Sequence, residues 1–544
     1  MSTTVITTSS FSLTIDGHQV QVNPGETVLQ AARKLGIDIP TLCYLEKCGP
    51  LNSCLVCLVK INGKLVPSCC IAAQPGMVVE SETTEVHEAR RTALELLFSD
   101  HVGDCLSPCQ RLCPLRMNIP VMIRQLQTQQ VDEAVKTVRD ALPLPGVLGR
   151  LCHHPCEQGC RRGTADEAAG IREMERFVAD YDLGMHRDQP STATVNNAGE
   201  MPKEPYLPRC KKSTGKSVVI VGAGPAGLTA AYTLLRHGHA CTIADRRTEA
   251  GGTLRDVNEQ QLSREVLDAE IHQLRRLGAH FRLGATLGHD ISLDGLLRGF
   301  DAVLVTVGEL TKTDGEAWGV EMAPGGVKIN PDTFQTNRAS VFAAGRAVKP
   351  ANQLVRAMTE GQWAAECIHL FLQNKQVHRP DKPFSSIMGR LESRELETFV
   401  KTAKPGPTLT PCNVCSGFTK VEAAEEAARC LRCDCRSSGN CALQSYATTY
   451  DVDASRFRSQ RRPFEQYVQP GGVIFEPGKC ILCGICVKLT ELAREPLGLT
   501  FIGRGFDVRI ATPFNQAIEA GLQKVAEECV LHCPTGALEF RDLR

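Results

Sequence analysis

The sequence predicts a multidomain chain of α/β and α+β class, and three observations predict it. At 544 residues the chain is long enough for three to five domains. Most of its 26 cysteines fall in four tight groups, many at C-x2-C spacing. Between the second and third group lies an uninterrupted GAGPAG loop, Gly222 to Gly227, flanked by apolar runs.

Composition narrows the function classes. The apolar share of 42% is ordinary for a globular protein. Lys+Arg and Asp+Glu number 61 each, so no charge excess favours nucleic acid or an anionic membrane. The opening MSTTVITTSS has no charged n-region, apolar core or cleavage site, so no secretory signal is expected. The apolar stretch Val218 to Leu235 contains the Gly-rich loop and reads as strand–turn–helix rather than a membrane span. In a large chain without a signal, C-x2-C spacings read as metal ligands rather than disulfides, and the expected compartment is the reducing cytoplasm.

The elements follow in order. Residues 1–98 open on a hairpin, Phe11 to Val22 with Asp16-Gly17 at the turn, then a helix from Thr27 to Leu35 ending at Gly36. Residues 99–185 read as helical and carry two cysteine triplets. Residues 186–216, rich in Pro, Ser, Asn and Lys, read as a linker. Residues 217–375 are α/β and hold the loop. Residues 376–450 are an irregular connector whose helix, about Val421 to Arg429, leads into cysteines, and residues 451–544 form a last small domain.

In the first group Cys43, Cys54, Cys57 and Cys69 run C-x10-C-x2-C-x11-C, a pattern able to hold a 2Fe–2S cluster by four thiolates. The segments TLCYLE, NSCLVCLVKING and SCCIAAQPGMVV resemble the N-terminal 2Fe–2S domain of the complex I large iron–sulfur subunit and of iron-only hydrogenases. That resemblance makes Cys69 the fourth ligand, with Cys70 as the fallback; Cys48 reads as a bystander.

In the second group Cys105, Cys109 and Cys113 are spaced by four, as are Cys152, Cys156 and Cys160. On a helix each triplet spans about 12 Å at roughly 1.5 Å per residue, too far for one cubane, so the triplets should share ligands across two clusters. Six cysteines leave two of eight positions for other side chains. PCQRLCPLRMNIP, GRLCHHPCEQGCRRG and IREMERFV resemble the N-terminal domain of the glutamate synthase small subunit and its counterpart in dihydropyrimidine dehydrogenase. That resemblance implies one 4Fe–4S cluster on Cys105, Cys109 and Cys160, and another on Cys113, Cys152, Cys156 and Glu175. The spacing SDHVGDC, H-x3-C, looks like the His-liganded cubane motif of complex I and offers His101 as the missing ligand.

The Gly-rich loop assigns Gly222 to a tight turn, Gly224 to close approach of a pyrophosphate and Gly227 to helix–strand packing. Pro225 and Ala226 open the helix, whose N-terminus suits a diphosphate. Asp245, followed by Arg246, ends the second strand, where it would accept from a ribose. GAGPAGL, GGTLR with Gly252, DAVLVTVGE with Gly308 and SVFAAGRAV…AMTEGQWAA resemble the FAD half of the glutamate synthase small subunit, which points to FAD. That family has an NADPH domain next; here the residues between Gly308 and Val341 are too few for one, so no nicotinamide site is expected. The family's Gly-Asp pair is Gly345-Arg346 here, and its YGIP-type stretch is RDVNE.

Cys430, Cys433, Cys435 and Cys441 run C-x2-C-x-C-x5-C and suit one 4Fe–4S cluster, with Cys412 and Cys415 as alternative donors. Cys480, Cys483 and Cys486 run C-x2-C-x2-C, and Cys533 precedes Pro534, which completes a fourth cubane; a second ferredoxin cluster is erased, leaving Cys529 spare. KCILCGICV, GLTFIGRGF and CPTGAL resemble the cubane domain of the complex I large iron–sulfur subunit.

These resemblances imply a ubiquitin-like 2Fe–2S ferredoxin domain, a helical two-cubane domain, a single Rossmann-like FAD domain and a C-terminal ferredoxin-like cubane domain. The implied cofactors are one 2Fe–2S cluster, four 4Fe–4S clusters and FAD. The function they suggest is an electron-relay subunit of a soluble hetero-oligomeric oxidoreductase. Its expected partners are complex-I-type diaphorase subunits holding FMN and NAD(P), and a hydrogenase or formate dehydrogenase type catalytic subunit. Flavin-based bifurcation stays open. The alternative is a self-sufficient NAD(P)H-oxidising flavoenzyme of the glutamate synthase type.

Overall fold

The computed structural model describes residues 10–185, 204–350, 353–413, 415–459 and 461–541. The leader reading on residues 1–9 and most of the linker reading on 186–216 lie outside the described residues. The chain forms two compact units, both discontinuous in sequence. The first comprises Met1–Ser107, Pro383–Lys401 and Cys433–Arg544; the second comprises Pro108–Lys382 and Thr402–Arg432.

The first unit opens with a five-stranded mixed sheet. Strands Phe11–Ile15 and His18–Val22 pair antiparallel through Asp16 and Gly17, both at positive φ (48° and 81°), the geometry of a primed two-residue turn. Asn62-Gly63 repeats it between Leu58–Ile61 and Lys64–Pro67. Strand Val78–Glu80 runs parallel to the first strand and antiparallel to Leu58–Ile61, closing the sheet. Alternate residues Leu13, Ile15, Val20 and Val22 face the helix Val28–Lys34 and bury Leu29 and Ala32. Thr27 caps that helix in a box with Gln30.

The rest of the first unit is built on helices Thr84–Phe98, Ala442–Thr449 and Ile485–Leu492 and on a small sheet holding Val473–Phe475 and Leu538–Phe540. Buried Arg90 ties the N-terminal sheet to this part: it donates to Leu58 O (2.9 Å) and Tyr450 Oη (2.8 Å). The segment Pro383–Lys401 is fixed by Ser385, whose hydroxyl accepts from Leu106 N (3.1 Å), and by Asp104, which accepts from Met388 N (3.1 Å).

The second unit joins a helical part to a parallel sheet. Its helices Ile119–Gln127, Val131–Ala141, Pro145–Leu151 and Ile171–Asp182 share one core with the sheet. The sheet order is His280–Leu283, Ala240–Asp245, Ser217–Val221, Ala302–Val305, Val341–Ala343, all parallel. Helix Pro225–Arg236 makes the crossover between the two central strands, and Leu354–Leu372 packs against it. Between Gly308 and Val341 the chain forms only the helix Lys312–Trp318 and the two-residue pair Met322–Ala323 with Gly326–Val327. No second βαβ unit occupies that stretch, as its length predicted. No helix among the described residues is long and apolar enough to cross a membrane.

Candidate iron–sulfur centres and nucleotide site

Cys43, Cys54, Cys57 and Cys69 are all buried in the first unit, at the edge of the five-stranded sheet. They meet as two pairs. Cys43 accepts from the Cys54 thiol, which holds Cys43 down to about 5 while its partner is pushed up. Cys57 likewise accepts from Cys69 and lies at about 7. The loop supplies N–H groups as well: Ser53 N donates to Cys43 Sγ (3.4 Å). Cys69 is buried beside Cys57, whereas Cys70 donates its thiol to Pro67 O (3.6 Å).

A second nest in the first unit holds Cys480, Cys483, Cys486 and Cys533. The four thiols line one pocket with Phe475, Ile510 and Pro534. Burial pushes Cys480 up to about 12. Leu482 sits at φ 54° and turns its N–H onto Cys480 Sγ (3.4 Å). This nest adjoins the first: Ser53 Oγ donates to Cys483 O (3.3 Å), and the charge of Cys43 acts on Cys483.

The third nest gathers residues the sequence had divided between two sets. Cys435 N donates to Cys105 O (3.4 Å), and the charges of Cys105 and Cys435 both act on Cys441. Burial pushes all three thiols up, Cys441 to about 12. His101 is close by through the H-x3-C spacing, and burial together with the charge of Lys479 pushes its imidazole down to about 3. Its Nδ1 is buried with no hydrogen-bond partner. A neutral buried imidazole with an unpartnered nitrogen is what a metal ligand requires. This nest adjoins the second: Cys441 donates to Pro534 O (3.6 Å), next to Cys533.

In the second unit, Cys113, Cys152 and Cys156 surround Glu175, whose charge raises all three beyond the effect of burial. Burial and Glu157 push Glu175 up to about 8, and its Oε1 has no hydrogen-bond partner. These four groups are those the resemblance implied. Cys109, Cys160 and Cys430 border the same core. Arg432, at φ 53°, donates its N–H to Cys430 Sγ (3.4 Å), as Leu482 does to Cys480. Cys433 lies in the first unit. Cys412 and Cys415 are exposed. Among the described residues no group of three or more His, Cys, Asp or Glu side chains is placed to hold a single metal ion.

The nucleotide site lies over the carboxyl ends of the parallel strands, in a cavity of about 550 Å³ lined by Gly222, Gly224, Pro225, Ala226, Asp245 and Arg246, with Gly252, Gly308 and Arg346 opposite. Gly222 has φ 116°, and a Cβ there would meet Thr306 O at 2.4 Å. A Cβ on Gly227 would sit 2.0 Å from Gly222 O, so the helix packs on the turn. Gly224 faces open space and caps the helix without a side-chain bond, leaving its first N–H groups to the cavity. Asp245 accepts from Ala223 N (2.6 Å) and Arg247 N (2.8 Å), which fixes its carboxylate at the rim. Gly345 N donates to Glu360 (3.1 Å), while Arg346 pairs with Glu309 and donates Nε to Pro350 O (2.9 Å). The cavity fits a dinucleotide by size and by its phosphate-facing helix end.

Three family models match the chain. A 2Fe-2S iron-sulfur cluster binding domain covers residues 8–84. A domain described as dihydropyrimidine dehydrogenase domain II, 4Fe-4S cluster, covers residues 80–187, and an NAD(P)-binding Rossmann-like domain covers residues 220–287. The chain is built from oxidoreductase domains. Among curated proteins it is 38% identical over 208 residues to the NADP(+)-dependent formate dehydrogenase subunit beta of Moorella thermoacetica, covering 37% of this chain and 29% of the relative. It is 35% identical over 205 residues to the NADPH-Fe(3+) oxidoreductase subunit beta of Geobacter sulfurreducens, covering 37% and 28%. It is 34% identical over 209 residues to the glutamate synthase [NADPH] small chain of Mycobacterium tuberculosis, covering 38% and 39%. The chain thus spans well under half the length of each of these relatives.

The sequence missed two features of the site. It did not bring Cys105 together with Cys435 and Cys441, and it gave no role to Lys479. The C-x5-C spacing of Cys435 and Cys441 beside H-x3-C at His101 was the available signal.

Proposed function

We propose that the chain is an electron-relay flavo-iron–sulfur subunit of a multisubunit oxidoreductase. It passes electrons between an NAD(P)-reactive diaphorase module and a catalytic module of hydrogenase or formate dehydrogenase type. The observation that carries this reading is the adjacency of three thiol nests in the first unit. Cys43 adjoins Cys483, and Cys533 adjoins Cys441. Electron tunnelling falls steeply with distance, so adjoining buried centres serve as a wire. Cys43, Cys54, Cys57, Cys69, Cys105, Cys435 and Cys483 are buried, and apolar residues wall the Cys480 nest.

The cofactor set follows from the ligands. The nest at Cys43 takes a 2Fe–2S cluster. Cubanes fit the Cys480 nest, the nest of His101, Cys105, Cys435 and Cys441, and that of Cys113, Cys152, Cys156 and Glu175. Cys109, Cys160 and Cys430 supply three thiolates for a further cubane, and Cys433 is the C-x2-C partner of Cys430 in sequence. The Rossmann-type cavity holds FAD on Gly222, Gly224, Gly227 and Asp245; when bound, the flavin supplies the exchange between two-electron and one-electron steps. The partition of the fold supports the resemblances: the ends of the chain make one unit and the middle the other.

The relay reading and the self-sufficient flavoenzyme differ in one experiment. The purified chain should contain about eighteen irons and one FAD. Mixed anaerobically with NADH or NADPH, it should not bleach its flavin until a diaphorase partner is added. Rapid bleaching by the chain alone overturns the relay and favours the second reading, to which the NAD(P)-type Rossmann match lends support.

A further inference from the structure

Lys479 is the residue immediately before Cys480, yet its side chain does not reach solvent and is only 3% exposed. It runs through a slot between two glycine backbones. A Cβ on Gly103 would lie 2.9 Å from its Cε and 3.5 Å from His101 Nε2. A Cβ on Gly536 would lie 3.7 Å from its Cδ and 2.5 Å from Cys435 Sγ. The segment carrying His101 is pinned alongside by Val102 N donating to Gly478 O (2.7 Å). The slot therefore delivers the ammonium to the nest of His101, Cys105, Cys435 and Cys441, while the backbone of Lys479 leads directly into the nest of Cys480.

A buried ammonium is costly unless compensated. Lys479 has one direct counter-ion, Glu476, itself buried and held by Gln466 Nε2 (2.6 Å). Glu539 and Arg436 also face it, with opposite signs. Burial works against its charge, and the direct pair with the Glu476 carboxylate offsets that. The side chain passes beside His101 on one wall of the slot and Cys435 on the other, so the ammonium faces that nest. A centre that gains an electron becomes more negative, and a fixed positive charge in a low-dielectric site favours that state.

We propose that Lys479 is a potential-setting residue, whose buried ammonium raises the reduction potential of the cubane on His101, Cys105, Cys435 and Cys441. The inference rests on the ligand set proposed for that nest. Glu476 opposes the effect and limits it.

The test is an anaerobic redox titration of the full chain followed by EPR, with iron counted in every sample. Lys479→Met keeps the length and removes the charge; its cubane signal should titrate at a lower potential, while the 2Fe–2S signal stays where it was. Lys479→Arg should restore the wild-type position. Glu476→Gln removes the counter-charge and should shift the same signal upward. A Lys479→Met protein with full iron and unchanged potentials overturns the inference. Should that variant lose iron, Glu476→Gln decides: an upward shift supports the proposal, and no shift or a downward one overturns it. A wild-type chain with too little iron for this cubane defeats the ligand reading instead.

Discussion

His101 and Glu175 are the two side chains other than cysteine proposed as ligands, and each carries a buried polar atom with no hydrogen-bond partner among the described residues. An unsatisfied buried atom costs about 1–3 kcal/mol, so such atoms point to a missing bond partner. Glu175 is surrounded by three thiols, and burial with the charge of Glu157 outweighs that of Arg172 and pushes its carboxyl up to about 8. Glu175→Ala should therefore lower the iron content by about four per chain and leave the 2Fe–2S signal intact. Unchanged iron would place its carboxylate outside the cluster. Glu395 presents the opposite case. Arg461 pairs with it, and Glu392 N and Phe464 N donate to it, so its carboxyl is held down to about 2 despite burial. Its folded value lies below the unfolded one, so its stabilisation is complete above about pH 4.3 and is lost as pH falls towards 2. Glu395→Gln should cost about 3 kcal/mol at pH 7 and little near pH 2, read as the melting temperature against pH.

Elements position these residues by two devices. One is the C-x2-C loop whose third residue is left-handed: Arg432 and Leu482 adopt φ 53° and 54° and each turns an N–H onto the first sulfur. A left-handed non-glycine residue costs about 1–2 kcal/mol, which the bond to sulfur offsets. The other is close helix packing behind the nucleotide cavity. A Cβ on Gly361, in Leu354–Leu372, would lie 2.2 Å from Ala226 O at the start of Pro225–Arg236. Backbone cannot give way cheaply, so Gly361→Ala should destabilise the unit by about 1–3 kcal/mol and release flavin at a lower temperature in a fluorescence melt. Where Pro225–Arg236 ends, a histidine chain meets Leu354–Leu372: His239 Nε2 meets His369 Nδ1 (2.8 Å), and His237 stacks on His369 and pairs with Glu366. Burial, with the charges of His237 and His239, pushes His369 down to about 4. Its stabilisation is therefore present above about pH 6.5 and lost as pH falls through 4. His369→Gln should flatten the pH dependence of melting between those limits.

At the scale of the molecule, the local motifs were legible and the pairing across segments was not. The βαβ loop, the Asp16-Gly17 turn and the C-x2-C pairs are written in short spacings. The grouping of Cys105 with Cys435 is not, because the chain leaves the first unit after Ser107 and re-enters it at Pro383 and again at Cys433. Spacing rules count residues along one strand of chain, and an interruption of that size hides the fourfold set. What the interruption preserves is the order of centres: the nest at Cys43, then that of Cys480, then that of His101. The middle nest touches both others, through Ser53 on one side and Pro534 on the other. Two reduced paramagnetic centres at such separations broaden each other's spectra. In the dithionite-reduced chain the 2Fe–2S signal should be broadened, and Cys533→Ala, which removes a ligand of the middle nest, should narrow it and speed its relaxation less. The same substitution should slow electron arrival at the His101 nest in a stopped-flow experiment in which the reductant enters at the 2Fe–2S side. A 2Fe–2S signal of equal width in both proteins would mean that the nests hold their clusters too far apart to act in sequence.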